Sequence, residues 1–173
     1  RSGPARGSGP ARAAARGPAA GAGAVICSDE IHCNMIHDGI QHIPIASLSE
    51  EIADQSITLM SLNKAFNIPG LGLAWMICKN KEIRKKIQAQ IGTLIPDPQI
   101  ISYVSTQAAL RHGETWRQEL IQYLESNKLM LKNNIKQMQP LQMYTMEASY
   151  LTWIDCSQLE IKDPAQLFLE HGL

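Results

Sequence analysis

The sequence predicts an α/β fold. Short runs with the composition of β-strands lie at residues 25–27, 55–60 and 72–79, and a helical repeat of apolar residues follows the third run. A second, longer helical repeat leads to segments in which apolar and polar residues alternate. Strands that alternate with helices are typical of a sheet covered by helices, so we expect an α/β domain followed by a small β element.

Two of the predicted strands end in polar sequence. Val25–Cys27 is an apolar run that leads into SDEIH at residues 28–32, and QSITLM at 55–60 leads into SLNKAFNIPGLGLAW at 61–75. Buried strands that deliver polar residues at their carboxyl ends have this form. In SLSEEIAD, between the two strands, Ser49 is predicted to cap a short helix.

Helices are predicted from apolar residues that recur at steps of three and four. They recur over residues 83–94 and again over the long stretch 116–138, which Pro140 ends. Between these stretches, Asp97 and Pro98 are expected to be the N-cap and the first residue of another helix.

The C-terminal segment is predicted to form an antiparallel pair of strands and one more helix. LQMYTM at 141–146 and SYLTWID at 149–155 alternate as such a pair would, and Asp163 followed by Pro164 is expected to cap the helix. Because the sequence opens on a bare strand and stops inside a helix signal, we expect it to be an interior piece of a larger protein.

Composition and charge narrow the classes of function. Residues 1–24 hold four arginines and no acid in a segment rich in Gly, Pro and Ala, which is expected to be disordered. The other residues carry 12 basic and 16 acidic side chains, so their charge favours neither nucleic acid nor an anionic membrane as a partner. No apolar run in the sequence reaches the roughly 18–20 residues of a membrane helix. The four cysteines have no framework spacing, which favours reduced thiols in a cytoplasmic protein.

One lysine and one aspartate are candidates for chemistry. Lys64 follows the second strand among apolar neighbours, and a lysine whose ammonium is destabilised by burial can form a Schiff base with a carbonyl compound. The alternative is an ordinary lysine at a strand end whose ammonium is exposed to solvent. The sequence around Lys64, taken alone, favours this alternative. Asp29 follows the first strand, where it could cap the next turn or hold a cation. Because ligands bind at the carboxyl ends of strands in α/β sheets, the two residues could face one cavity.

A carboxylate together with such a lysine is what pyridoxal phosphate (PLP) requires, because the carboxylate keeps the pyridine nitrogen protonated. Ser61 could place its hydroxyl on the phosphate, and Lys64 could act as the base that removes a proton from the substrate α-carbon. A metal site is not expected, because His32, His37 and His42 recur every five residues and share no helical face.

The two motifs together resemble a known family. SDEIHCNMIHDG and SLNKAFNIPGLGLAW, with Lys64 placed 35 positions after Asp29, resemble the fold-type I PLP-dependent enzymes. Within them the sequence is similar to the cystathionine β-lyase-like C–S lyases of the aminotransferase class I/II superfamily, the MalY/PatB group. EASYLTWID at 147–155 resembles a strand of that group's small domain, and the resemblance covers about residues 25–173.

The resemblance implies a domain organisation. Residues 25–125 would form the C-terminal half of the PLP-binding large domain, and residues 126–173 the connecting helix and the start of the small α+β C-terminal domain. The arginine that binds the substrate carboxylate in this family would lie outside this chain. The intact enzyme is expected to be a homodimer.

The resemblance also implies roles for single residues. Lys64 would bond covalently to PLP and act as the catalytic base, and Asp29 would pair with the pyridine nitrogen. His32 would lie near the phenolic oxygen of the ring. Ile31 would pack on the ring face, and Ser61 would bind the phosphate.

The implied activity is α,β-elimination of cystathionine or another S-substituted cysteine, a small amino acid, to a thiol, pyruvate and ammonia. Many aminotransferases carry an arginine eight residues after the lysine as a second phosphate ligand, whereas this sequence has Gly72 there. The glycine suits the lyase-like group better. An aminotransferase on the same scaffold and a catalytically inactive fragment remain the alternatives, since elimination and transamination use the same motifs.

Overall fold

The computed structural model of the chain describes residues 24–37, 39–92 and 94–172. The segment expected to be disordered, 1–24, lies outside these residues except for Ala24. The described residues form an α/β structure, as the sequence predicts, with five strands and five α-helices. No helix among them is long and apolar enough to cross a membrane.

The described residues fall into two compact units, the first of which contains those up to Asn34 together with Gln41–Gly113. Its sheet has three strands, β1 (Ile26–Asp29), β2 (Ser56–Ser61) and β3 (Ala74–Ile77), in that spatial order. β1 and β2 run parallel, whereas β3 runs antiparallel to β2. The three strands predicted from the sequence are thereby confirmed, with β2 at the centre.

The register of the sheet fixes which residues meet where β1 and β2 end. Asp29, the last residue of β1, is paired with Leu59, and β2 continues for two more residues to Ser61. β3 begins at the same edge, since Ala74 is paired with Ser61. The polar sequences that follow β1 and β2 therefore leave the sheet on one side, as expected for parallel strands.

Three helices belong to the first unit. The shortest of them is capped as predicted, because the Ser49 hydroxyl accepts a hydrogen bond from the Ile52 N–H at 3.2 Å. The buried apolar side chains of the first unit include Ile52, Leu62, Ala65 and Cys78. The helices are α1 (Glu50–Gln55), α2 (Lys81–Ile91) and α3 (Ile100–His112).

The start of α3 differs from the prediction. Asp97 is not the N-cap, because the helix begins two residues later, after Gln99, whose backbone is extended and whose side chain makes no capping hydrogen bond. Pro98 lines an apolar hollow together with Trp75 and Tyr103. The first turn of α3 is closed instead by the Ser102 N–H, which donates to the Gln99 carbonyl oxygen at 2.9 Å, so Pro98 lies outside the helix.

The second unit contains Met35–Ile40 and the residues from Glu114 onward. Its helix α4 (Glu114–Gln137) ends shortly before Pro140, as predicted. β4 (Gln142–Met143) and β5 (Ile154–Asp155) form the predicted antiparallel pair, although each strand has only two residues.

The last helix, α5 (Pro164–Glu170), begins where the sequence predicts. The Asp163 side chain accepts a hydrogen bond from the Gln166 N–H at 3.0 Å, and Pro164 occupies the first turn. The proline has no N–H that would be left without a partner in this turn, so it suits the position.

The sequence gives no sign of one pairing in the second unit. An isolated bridge joins Ile36 to Ala148, and the Ser149 N–H donates to the Met35 carbonyl oxygen at 2.7 Å. His37 is fully buried here, with its Nε2 atom 2.6 Å from the Ser149 carbonyl oxygen. These partners are about 112 residues apart, too far for local periodicity to reveal.

Candidate active site

Lys64 lies in a tight loop that follows β2, the lysine loop (residues 61–68). Leu62 and Ala65 are 3% and 0% exposed, whereas the Lys64 side chain is exposed on the other side of the turn. The Phe66 N–H donates to the Leu62 carbonyl oxygen at 3.0 Å, which closes one helical turn. The apolar neighbours of Lys64 therefore face the core, and among the described residues they do not enclose its amine.

Ser61 holds the start of the lysine loop. Its Oγ atom donates to the Leu73 carbonyl oxygen at 2.9 Å and accepts from the Asn63 N–H at 3.1 Å, and the residue is 3% exposed. A serine hydroxyl has one hydrogen to donate. A phosphate bound at Ser61 would therefore have to draw that hydrogen away from Leu73, and the phosphate role of Ser61 stays a prediction.

Asp29 opens a turn at the end of β1, the aspartate turn (Asp29–Cys33). Its Oδ1 atom accepts from the Ile31 N–H at 3.2 Å, so it does cap the turn. The Glu30 N–H donates to the Leu59 carbonyl oxygen of β2 at 2.9 Å, and the Cys33 N–H donates to the Glu30 carbonyl oxygen at 3.0 Å. The Asp29 side chain itself is exposed.

The next residue, Glu30, is the most enclosed carboxylate near this edge, at 6% exposed. Its Oε1 atom accepts from the Ser28 hydroxyl and from the Ile45 N–H, both at 3.0 Å, and its Oε2 atom lies 2.8 Å from His42 Nε2. Burial raises the pKa of the Glu30 carboxyl, but the hydrogen bonds from His42, Ile45 and Ser28 outweigh it and hold the pKa below the ordinary 4.5. Glu30 is therefore an ionised, fully hydrogen-bonded group at neutral pH.

Glu30 is not among the residues predicted to form the site, and His42 was considered only as a metal ligand. The available signal was the alternation of side chains along a strand. Neighbouring residues at the end of β1 face opposite sides, so an outward Asp29 implies an inward Glu30. A buried carboxylate needs hydrogen-bond donors, and His42, which is near Glu30 in the sequence, was a candidate donor.

The structure brings the two motifs to one edge of the sheet. Strands lie about 4.8 Å apart and rise about 3.3 Å per residue, so the ends of β1 and β2 are within about 10 Å of each other. Ile31 and His32 are half-buried on the aspartate turn, and Lys64 is exposed on the lysine loop. The predicted residues thus follow the same edge, while their contacts with PLP stay predictions.

Comparison with known proteins shows what the chain is similar to. The family model described as Aminotransferase class I and II matches residues 19–172. Among curated proteins, cystathionine beta-lyase PatB of Bacillus subtilis is 33% identical over 143 residues, which are 82% of this chain and 37% of PatB. The predicted resemblance to this superfamily and to its lyase-like group is confirmed.

Solved structures share the fold. The crystal structure of OvoB is 44% identical with a TM-score of 0.82, covering 86% of this chain and 40% of OvoB. The PLP-bound C–S lyase from Staphylococcus hominis is 34% identical with a TM-score of 0.74, covering 84% of this chain and 38% of the lyase. The chain has part of the fold-type I PLP-dependent transferase fold, as predicted, and spans about two fifths of the length of these proteins.

Proposed function

Because the chain belongs to the aminotransferase class I and II family, we propose that it forms part of a PLP-dependent carbon–sulfur lyase. The reaction is α,β-elimination of cystathionine or another S-substituted cysteine to a thiol, pyruvate and ammonia. The observation that carries the proposal is that Asp29 ends β1 and Lys64 follows β2 at the same sheet edge. The likeness to a cystathionine beta-lyase and to a PLP-bound C–S lyase supports the choice of reaction.

The side chains at this edge fit PLP. Lys64 offers an exposed amine that can bond to an aldehyde. The Oδ1 atom of Asp29 accepts the Ile31 N–H, and within the described residues Oδ2 can still pair with a protonated ring nitrogen. Ile31 would pack on the ring face, His32 would bond the phenolic oxygen, and Ser61 would bind the phosphate.

Lys64 and Asp29 would have separate roles in the elimination. When bound, PLP supplies a ring that stabilises negative charge at the substrate α-carbon. Once the substrate amine had replaced it on the cofactor aldehyde, the freed Lys64 amine would take the proton from that carbon, and the electron pair left behind would expel the β-thiolate. Hydrolysis of the remaining unsaturated amino acid by water would then give pyruvate and ammonia. Asp29 holds a proton at the ring nitrogen by charge pairing and so maintains the ring's capacity to accept charge.

Turnover tests the proposal directly. The full-length protein is incubated with PLP and cystathionine, and pyruvate and thiol are measured without any keto acid. Lys64→Ala should lower the rate by about 10²- to 10⁴-fold, the usual contribution of a general base. Lys86→Ala, which removes an exposed lysine on α2, is the matched control and should leave the rate unchanged.

The other outcomes identify the alternatives. Amino-group transfer that requires an added keto acid, with no pyruvate released from cystathionine, indicates an aminotransferase. Borohydride reduction followed by peptide mass spectrometry should place PLP on the peptide that contains Lys64. A protein that binds PLP at Lys64 but releases neither product is an inactive member of the family.

We further propose a homodimer in the cytoplasm that acts on a small amino acid, with neither nucleic acid nor membrane as a partner. All four cysteines are free, which suits a reducing compartment.

On α3, Ile100 and Leu110 are 82% and 66% exposed, and exposed apolar side chains of this kind suit a subunit interface. Light scattering should give the mass of a dimer, and a monomeric mass at all concentrations would contradict the homodimer.

A further inference from the structure

Glu30 is a buried carboxylate that the proposed chemistry does not use. It lies between Asp29 and Ile31, which are both assigned to PLP, and it is 6% exposed. Burying a charge is unfavourable unless donors surround it, so such a residue needs an explanation. Its side chain accepts hydrogen bonds from a hydroxyl, a backbone N–H and an imidazole.

These contacts join segments that are separate in sequence. The donors are the Ser28 hydroxyl on β1, the Ile45 N–H at the start of a 3₁₀ turn (Ile45–Ser47), and His42 in the loop before that turn. The Glu30 N–H also donates to the Leu59 carbonyl oxygen of β2. One residue therefore fixes the end of β1 to both β2 and the 42–45 loop.

His42 completes the arrangement. An ionised carboxylate only accepts hydrogen bonds, so the His42 Nε2 atom must carry a hydrogen, which selects that tautomer of the neutral ring. The His42 side chain is 32% exposed, whereas that of Glu30 is 5% exposed. The imidazole thus covers the Oε2 atom of a carboxylate whose other donors, Ser28 and Ile45, are half-buried.

We propose that Glu30 is a positioning residue of the site: held by His42 and Ile45, it fixes the aspartate turn in the form that presents Asp29, Ile31 and His32 to PLP. The inference rests on the proposed function, because it concerns the orientation of the residues assigned to the cofactor. Glu30 itself touches neither PLP nor substrate in this assignment.

Two substitutions of Glu30 separate the loss of its hydrogen bonds from the loss of its charge. Glu30→Ala removes all three acceptor contacts. Glu30→Gln keeps an acceptor for the Ile45 N–H and can donate to His42 if the ring changes tautomer, so it should restore most of the turn. Glu51→Ala, which removes an exposed carboxylate on α1, is the control.

The first measurement needs no cofactor. Amide hydrogen exchange of Ile31, Cys33 and Ile45 should become at least about tenfold faster in Glu30→Ala. Without the hydrogen bonds to Glu30, local opening of the turn costs less free energy. Glu30→Gln should exchange at nearly the wild-type rate, and Glu51→Ala should be unchanged. Unaltered exchange in Glu30→Ala would overturn the claim that Glu30 fixes the turn.

The second measurement reports cofactor orientation. With PLP at saturation, the visible circular dichroism per bound PLP should fall several-fold in Glu30→Ala, recover in Glu30→Gln and stay unchanged in Glu51→Ala. A loss of stability alone would not move this signal at equal occupancy. If Glu30→Ala does not fold, His42→Ala takes its place: it removes one of the three donors to Glu30 at a partly exposed position and should lower the same signal by a smaller factor.

The outcomes distinguish this inference from the proposed function. If wild type and Glu30→Ala bind PLP with the same dichroism and turnover, Glu30 has no positioning role and the lyase proposal stands. If Glu30→Ala does not fold and His42→Ala matches wild type in both amide exchange and dichroism, the positioning role is likewise overturned. If the wild type binds no PLP at Lys64, the proposed function fails and the positioning role fails with it.

Discussion

Gly113 lies against the ring of Phe66 with no room for a side chain. A Cβ atom at Gly113 would be 2.6 Å from the Ala109 carbonyl oxygen and closer still to a carbon of the Phe66 ring. Gly113 is the C-cap of α3, and its N–H donates to the same Ala109 oxygen at 2.9 Å. Because Phe66 belongs to the lysine loop, the end of α3 supports the loop that carries Lys64.

Gly113→Ala should therefore destabilise the protein. The new methyl group must displace both a ring and a backbone oxygen, and overpacking of this kind costs about 1–3 kcal/mol of unfolding free energy. Urea denaturation measures the change. Gly70→Ala is the control, since a Cβ at Gly70 meets nothing within 4 Å, and an equal effect of the two substitutions would contradict the packing argument.

Ser61→Ala should affect both stability and phosphate binding. It leaves the Leu73 carbonyl oxygen and the Asn63 N–H without their buried partner, which should lower the unfolding free energy by about 1–3 kcal/mol. If Ser61 also binds the phosphate, the affinity for PLP should fall about tenfold, whereas the affinity for pyridoxal, which has no phosphate, should stay the same.

The control for this prediction is Ser126→Ala, which removes an exposed hydroxyl on α4 that donates to the Gln122 carbonyl oxygen of the same helix. Its effect on stability should stay within about 0.5 kcal/mol. Equal losses of PLP and pyridoxal affinity in Ser61→Ala would assign Ser61 a structural role alone.

Local signals account for what the sequence predicted correctly. β1 and β2 were predictable because short apolar runs ended in polar residues, and this placed Asp29 and Lys64 at the ends of neighbouring strands. Ser49 and Asp163 cap their helices because a side-chain oxygen next to the first turn satisfies its N–H groups wherever it occurs. These features depend on a few adjacent residues.

Features that depend on distant residues were not predictable. Asp97 has a good capping sequence, but α3 begins two residues later, after Gln99, and the local sequence does not indicate this. The exposure of Lys64 depends on which side of the loop faces the core, and its apolar neighbours do not reveal this. Strand alternation indicates an inward Glu30, but its hydrogen-bond partners His42 and Ile45 lie 12 and 15 residues away in sequence, so the local pattern does not reveal them.

Glu114 should contribute a pH-dependent part of the stability of α4. The Arg117 guanidinium and the Gln118 amide donate to its carboxylate, and these hydrogen bonds hold the pKa of Glu114 at about 2, below the ordinary 4.5. A lowered pKa in the folded state means that the stabilisation is present above pH 4.5 and is lost as the pH falls toward 2.

Urea denaturation of wild type and Glu114→Gln between pH 6 and pH 2 measures this contribution. The urea midpoint of the wild type should exceed that of the variant at pH 6, and the difference should disappear near pH 2. The Glu114 carboxylate is exposed and the Arg117 side chain is only half-buried, so the difference should be small and should shrink further in high salt. A difference that persists at pH 2 would show that charge is not its source.

Asp29→Asn should separate the charge of Asp29 from its turn-capping role. The amide oxygen of asparagine can still accept the Ile31 N–H, so the unfolding free energy should stay within about 0.5 kcal/mol of the wild type. The negative charge that would keep the PLP ring nitrogen protonated is lost. A charge-assisted hydrogen bond contributes about 1.5–3 kcal/mol, so elimination of cystathionine should slow by about 10- to 150-fold. Asp97→Asn, at an exposed carboxylate that caps no helix, should leave the rate unchanged, and an Asp29→Asn enzyme as fast as the wild type would exclude Asp29 as the partner of the ring nitrogen.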